Sequence, residues 1–207
     1  MHTRRQFGMV GLGLAALAVL LGLSSPPAQA GFLVTLTQQG NNVVANGSGS
    51  IDLTGLTISK SIPGRAAMTP SVGSIESGPA LLTGSTFYSG FTGPKSFGPG
   101  GGILADSGSG DLVSILGASG FLTVPVGYVS GNSLSDTSTY LNTTFSGLGA
   151  TPGTYVWTWG TGAHADSFTL QVGPATAAPE PATLTQLATG ALGLLGYGIR
   201  RRRRAAA

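Results

Sequence analysis

The chain has 207 residues and a formal net charge of +3, and it contains no cysteine. The lack of cysteine excludes disulfides, zinc–thiolate sites and thiol nucleophiles. The positive charge belongs to the two ends, because residues 31–174 carry three basic residues against six acidic ones, a net charge of −3. The three bases, Lys60, Arg65 and Lys95, offer no cationic track for phosphates, which argues against nucleic-acid binding.

Residues 1–30 have the pattern of a secretory signal peptide. A positive start at Arg4 and Arg5 precedes an apolar stretch that is short for a membrane span, and Ala28 and Ala30 form a small-residue cleavage site. We predict an N-terminal signal helix that is removed on export. The Thr-Arg-Arg-Gln-Phe start also resembles a twin-arginine signal, so the general secretory route and the twin-arginine route both stay open.

Residues 31–174 are predicted to form one β-rich passenger domain of the all-β class. Short runs of Val, Ile, Leu, Phe and Tyr are separated by Gly, Ser and Asn, with almost no helical period. This spacing favours an antiparallel sandwich or a jelly-roll-like fold. The runs predict strands over residues 32–37, 41–52, 80–82, 86–88, 112–116, 121–126, 140–145, 154–159 and 167–172, the last two forming a hairpin.

Two features of the middle of the chain depart from this regular pattern. Residues 89–111 form the longest irregular segment, and a loop of that length in a compact domain is either mobile or functional. Pro125 lacks a backbone N–H, so its strand is predicted to lie at a sheet edge or to carry a bulge. Within the irregular segment, Asp106 and Asp111 bracket Gly and Ser residues and could bind Ca²⁺. Because their spacing does not match an EF-hand, we favour two turn-capping aspartates.

The predicted hairpin carries the remaining candidate site residues. Tyr155, Trp157 and Trp159 fall on one strand face, where they form either part of the core or, if exposed, a platform for sugar rings. We interpret the row as core. His164 and Asp166 lie near the turn, and we interpret them as turn residues because no catalytic motif accompanies them. The passenger is therefore predicted to be non-enzymatic and to need no cofactor.

The C-terminal region has three consecutive parts after a linker at residues 175–178. Pro179, Glu180 and Pro181 form a rigid, extended motif. Residues 182–199 are apolar and long enough to cross a thin hydrocarbon core as a transmembrane helix. The arginines that follow mark the cytoplasmic side of a membrane. They are Arg200, Arg201, Arg202, Arg203 and Arg204. We predict that residues 179–207 form a membrane-anchoring tail.

This order of motif, apolar helix and arginine block resembles the PEP-CTERM protein-sorting signal of Gram-negative envelope proteins, over residues 177–204. The resemblance implies that a membrane-embedded, cysteine-dependent exosortase cuts the tail near the Pro-Glu-Pro motif. The passenger is also similar, over residues 86–172, to a recurrent group of passengers with no known activity.

The combined prediction is an exported structural protein of the cell envelope or extracellular matrix. Its precursor is expected in the inner membrane with a periplasmic passenger, followed by delivery to the cell surface or to an exopolysaccharide matrix. A carbohydrate-binding or adhesive module is the first alternative, and it requires the aromatic row to be exposed. A hydrolase on a divergent β-scaffold is the second, and it requires His164 and an acid to line a pocket.

Overall fold

The computed structural model describes residues 31–173, which form thirteen strands and three short helical turns. The predicted signal peptide, with Ala28 and Ala30, lies outside the described residues. So do the linker, the Pro-Glu-Pro motif, the membrane helix and the arginine block. Within residues 31–173, no helix has the length and apolar character needed to cross a bilayer.

The strands make up two sheets. In chain order they are β1 (Phe32–Gln39), β2 (Asn42–Ser50), β3 (Thr57–Ser61), β4 (Ala67–Thr69), β5 (Ser74–Ser77), β6 (Ser85–Ser89), β7 (Ile103–Leu104), β8 (Ser107–Gly110), β9 (Val113–Leu116), β10 (Phe121–Pro125), β11 (Ser133–Tyr140), β12 (Gly153–Trp159) and β13 (Asp166–Val172). The six-stranded sheet has the order β12-β13-β1-β2-β11-β8, and the seven-stranded sheet has the order β3-β6-β10-β9-β5-β4-β7. A four-residue helix, α1 (Phe145–Leu148), precedes β12.

Both sheets contribute to a single hydrophobic core. Val34 and Leu36 of the six-stranded sheet and Ile75, Ile115 and Leu122 of the seven-stranded sheet are completely buried in one cluster. In β1 the buried residues alternate with more exposed ones, which is the period expected when only one face of a strand meets the core. The predicted β-rich class is confirmed, with two sheets.

Most of the predicted strands are present, but two are wrong. Residues 80–82 form no strand, and Leu81 and Leu82 are 80% and 70% exposed. Residues 140–145 are not a strand either, because β11 ends at Tyr140 and α1 begins at Phe145. The predicted hairpin of β12 and β13 is confirmed, with Trp157 paired with Phe168.

The first and last strands pair in parallel, so the predicted antiparallel pairing does not extend to these two strands. β1 lies beside β13 with Phe32 opposite Phe168 and Leu36 opposite Val172. All four side chains are buried, and the two phenylalanine ring centroids lie 5.7 Å apart. The parallel register therefore places both strands' apolar residues on the same side of the sheet.

Pro125 does not make β10 an edge strand, and neither pairing of β10 has a register shift, so both the predicted edge position and the alternative bulge are wrong. β10 lies between β6 and β9, but its pairing with β9 stops at Thr123 opposite Ser114. Pro125 is the last residue of β10 and pairs only with Ser85 of β6. Its missing N–H thus removes no hydrogen bond from the ladder with β9.

The irregular segment at residues 89–111 is packed against the domain through its glycines. It contains β7, β8 and the buried Phe97. A Cβ at Gly98 would lie 2.1 Å from the carbonyl oxygen of Gly149, and one at Gly100 would lie 1.9 Å from that of Leu148. Only glycine allows the backbone to lie this close to α1. The segment that was predicted to be either mobile or functional thus lies close to α1, and its glycines allow this close packing of the backbone.

Candidate functional site

The aromatic row of β12 faces the core. Trp157 is 0% exposed and Trp159 is 4% exposed, while Tyr155 is partly buried against Phe97 at a ring-centroid distance of 5.8 Å. The indole N–H of Trp157 donates to the Pro94 carbonyl oxygen at 2.8 Å. A ring that is enclosed in this way has no free face for a sugar, so the row does not form the platform considered from the sequence.

Asp106 and Asp111 flank β8 and accept hydrogen bonds from backbone N–H groups of β11 and of the residue that follows it. Asp106 Oδ2 accepts from the Leu141 N–H at 2.7 Å, and Asp111 Oδ2 accepts from the Ser135 N–H at 2.9 Å. Within residues 31–173, no group of three or more His, Cys, Asp or Glu side chains is placed to hold a metal ion. The geometry agrees with carboxylates that cap backbone N–H groups.

His164 contacts an acid that the sequence pattern did not indicate. Its Nδ1 lies 2.8 Å from Asp52 Oδ2, whereas the two residues are 112 positions apart in the chain. The Asp52 N–H donates to Asp166 Oδ2 at 2.6 Å, and the Trp159 indole N–H donates to the Asp52 carbonyl oxygen at 2.7 Å. We call Asp52, Trp159, His164 and Asp166, with Ser130, the Asp52 cluster. It ties the start of β13 to the segment after β2.

The Asp52 carboxylate binds three groups, Thr54, Ser130 and His164. Oδ1 accepts from the Thr54 N–H at 2.9 Å and from the Ser130 hydroxyl at 3.1 Å. Hydrogen bonds from Thr54, then from His164, hold the pKa of Asp52 well below its usual value. Burial raises the pKa of Asp166. The Ser130 hydroxyl donates to Asp52 and not to His164, so it does not make the hydrogen bond that joins a catalytic serine to its base.

We predict that Asp52→Ala lowers the free energy of unfolding by about 1 kcal/mol at pH 7, since several hydrogen bonds to a partly exposed carboxylate are lost. The depressed pKa means that this stabilisation is present above about pH 4 and declines as the pH falls further. Urea titrations of Asp52→Ala and of the unchanged protein should therefore give free energies of unfolding whose difference becomes smaller below pH 4. If Asp52→Ala lost the same free energy of unfolding at pH 7 and at the lowest accessible pH, this role of the carboxylate would be contradicted.

A second acid, Asp136, lies buried between the sheets and was also missed. It is 8% exposed on β11, and the Ser77 hydroxyl of β5 donates to its Oδ1. Next to it, Ser138 Oγ accepts from the Gly78 N–H at 2.8 Å. Burial raises the pKa of Asp136 to about 6, against the opposing effect of the Ser77 hydrogen bond. This pair of contacts joins the two sheets through polar groups.

A cleft of about 490 Å³ opens beside α1, and we call it the α1 cleft. Its walls contain no charged side chain. It is lined by Gln38, Pro99, Thr144, Phe145, Ser146, Gly149, Ala150, Thr151 and Pro152. The hydroxyl of Thr144 caps α1 by accepting from the Gly147 N–H at 3.1 Å, which fixes the helix at the rim of the cleft. His164 does not line this cleft.

Comparison with known proteins concerns the C-terminal part of the chain. Residues 177–204 match the family model for the PEP-CTERM protein-sorting motif. The matched residues include Pro179, Glu180, Pro181, the apolar stretch and the five arginines, and they include none of the described domain. No curated protein and no solved structure matches the chain. Residues 177–204 are therefore a PEP-CTERM sorting signal, the mark of an exosortase substrate that is exported as a membrane-anchored precursor.

Proposed function

We propose that the protein is a non-enzymatic structural component of the cell surface or extracellular matrix, delivered there by exosortase processing. The observation that carries this proposal is the sorting-signal match at residues 177–204. In the precursor, residues 182–199 cross the inner membrane, and the arginine block stays in the cytoplasm. The passenger then lies in the periplasm until a cut near Pro179, Glu180 and Pro181 releases it. Residues 1–30 direct the export as a cleaved signal peptide, ending at Ala28 to Ala30.

The outer face of the six-stranded sheet supports a role in a hydrated matrix. Hydroxyl and amide side chains lie opposite one another across neighbouring strands on this face. One such row runs through Thr35, Asn46, Thr137 and Ser109. Uncharged donors and acceptors of this kind can exchange hydrogen bonds with water or with sugar hydroxyls. We infer that exopolysaccharide binds this surface through hydrogen bonds. Its sugars do not stack on the tryptophans, which are buried.

The processing step is tested by changing the motif in the intact precursor. Replacing Pro179, Glu180 and Pro181 with alanine is expected to leave the full tail on the protein in the inner membrane, because the enzyme loses its rigid, extended recognition element. The unchanged protein should lose residues 200–204 in a host with the exosortase and keep them in a host without it. Cell fractionation with intact-mass measurement distinguishes these forms.

Thr183→Ala is the matched control, since it changes a residue of the matched segment that lies close to the Pro-Glu-Pro triplet but outside it. This variant should be processed at the rate of the unchanged protein. If both strains contain full-length protein with the arginine block still attached, the proposed processing is wrong.

A further inference from the structure

The α1 cleft lies at the point where the described chain ends. The Gly173 N–H donates to the Leu36 carbonyl oxygen at 2.9 Å. A Cβ placed on Gly173 would lie 3.7 Å from Pro152 Cβ and 3.8 Å from Phe145 Cε2. Pro152 and Phe145 both line the cleft. Gly173, the last described residue, therefore lies at the wall of the cleft.

The composition of the next residues suits the cleft walls. Residues 174–178 read Pro-Ala-Thr-Ala-Ala, with no charge and no large side chain, and the first charged residue is Glu180. The cleft is likewise uncharged, with apolar walls from Pro99, Phe145 and Pro152. In extended form, five residues span about 15 Å. Proline-containing extended segments bind apolar grooves lined by aromatic side chains, because they lose little conformational freedom on binding.

We propose that residues 174–178 occupy the α1 cleft and pack against Phe145, Pro99 and Pro152. Covalent attachment favours this occupant, since a tethered segment next to its site has an effective concentration of about millimolar. A second copy or a separate partner would have to displace it. The docked linker holds the Pro-Glu-Pro motif beside the α1 end of the passenger. Docking does not depend on whether the tail is cut, so it stands apart from the processing proposal.

The lack of cysteine in the chain allows a clean cross-linking test. Ser146, an exposed residue of α1 that lines the cleft, is changed to cysteine together with Ala175, Thr176, Ala177 or Ala178 in turn. A disulfide needs Cα atoms about 4.4–6.8 Å apart, so a docked linker should form the bond at one or two of the four positions and not at the others. The full chain is oxidised in a host without the processing enzyme, and the linked peptides are identified by mass spectrometry.

Thr154→Cys is the matched control partner for the same four positions. Thr154 is exposed on β12 opposite Gln171, so it also lies near Gly173, but its side chain points away from the core-facing row of Tyr155 and Trp157. A docked linker should leave the Thr154→Cys pairs reduced. Phe145→Ala should lower the yield of the best Ser146→Cys pair, because it removes a wall of the cleft.

Three results would overturn the docking proposal. The first is an even yield across the four linker positions, or yields for Thr154→Cys that equal those for Ser146→Cys, as expected of a free tether. The second is that none of the four Ser146→Cys pairs forms a disulfide. The third is a disulfide between two chains in place of the bond within one chain, which would assign the cleft to a second copy.

Discussion

Trp157→Ala is expected to lower the free energy of unfolding by about 4 kcal/mol, the range found when large buried aromatic residues are truncated. Trp157 is completely buried and contacts Phe168 edge-on at a ring-centroid distance of 5.8 Å. Truncation also leaves the Pro94 carbonyl oxygen without its indole donor. Because domains of this size have total stabilities of about 5–15 kcal/mol, the variant should unfold at a much lower urea concentration.

Two further variants keep this prediction testable if the alanine variant does not fold. Trp157→Phe retains much of the buried apolar surface and should cost less than the alanine change. Val156→Ala, on the opposite face of the same strand, should cost less than 1 kcal/mol, because Val156 is 42% exposed. Circular dichroism during urea titration measures all three. A loss below 1 kcal/mol for Trp157→Ala would contradict its placement in the core.

Asp136→Asn is expected to remove most of the pH dependence of stability between about pH 4 and pH 6. The pKa of Asp136 is raised from 3.8 to about 6, so the folded domain binds this proton more tightly than the unfolded chain does. The free energy of unfolding should therefore fall as the pH rises through this window, by about 3 kcal/mol in total. Burial also raises the pKa values of Glu76 and Asp166. The free energy of unfolding of the variant should therefore still fall with rising pH, but less steeply.

The asparagine variant should also be at least as stable as the unchanged protein at pH 8. It carries no charge into the buried site, and its amide oxygen can still accept from Ser77. Asp106→Asn is the control, since it removes an exposed carboxylate just before β8, the strand that pairs with β11. Denaturant titrations at pH 4, 6 and 8 provide the measurement. If the free energy of unfolding of Asp136→Asn changed with pH as steeply as that of the unchanged protein, another group would cause the pH dependence.

The parts of the fold that depend on local alternation could be predicted from the sequence. Tyr155, Trp157 and Trp159 repeat with the period of a strand, and their burial agrees with the predicted core row. β11 was missed because its inward residues include Asp136 and Ser138 among Leu134 and Tyr140. An apolar period of two is hidden when polar residues occupy the inward positions. The outward run of Ser and Thr at alternate positions of β11 was the available signal.

The parts that depend on contacts between distant residues could not be predicted in this way. The nearest acid to His164 in the sequence is Asp166, but its partner is Asp52, which the packing of the segment after β2 brings to it. The parallel pairing of β1 with β13 joins the two ends of the domain and leaves no local pattern. In the C-terminal region, by contrast, the signal is linear and is recognisable without a fold.

The parallel pairing of β1 with β13 determines how the domain responds to mechanical tension. Phe32 lies opposite Phe168 and Leu36 lies opposite Val172. The start of β1, next to Gly31, and the end of β13, next to Gly173, therefore lie at opposite ends of the strand pair. A pulling force between Gly31 and Gly173 therefore acts along the strands in a shear geometry. All hydrogen bonds between the two strands carry the load together, whereas a hairpin pulled from its open end would break them one at a time. Forced unfolding is governed by the unfolding rate, and this geometry slows it.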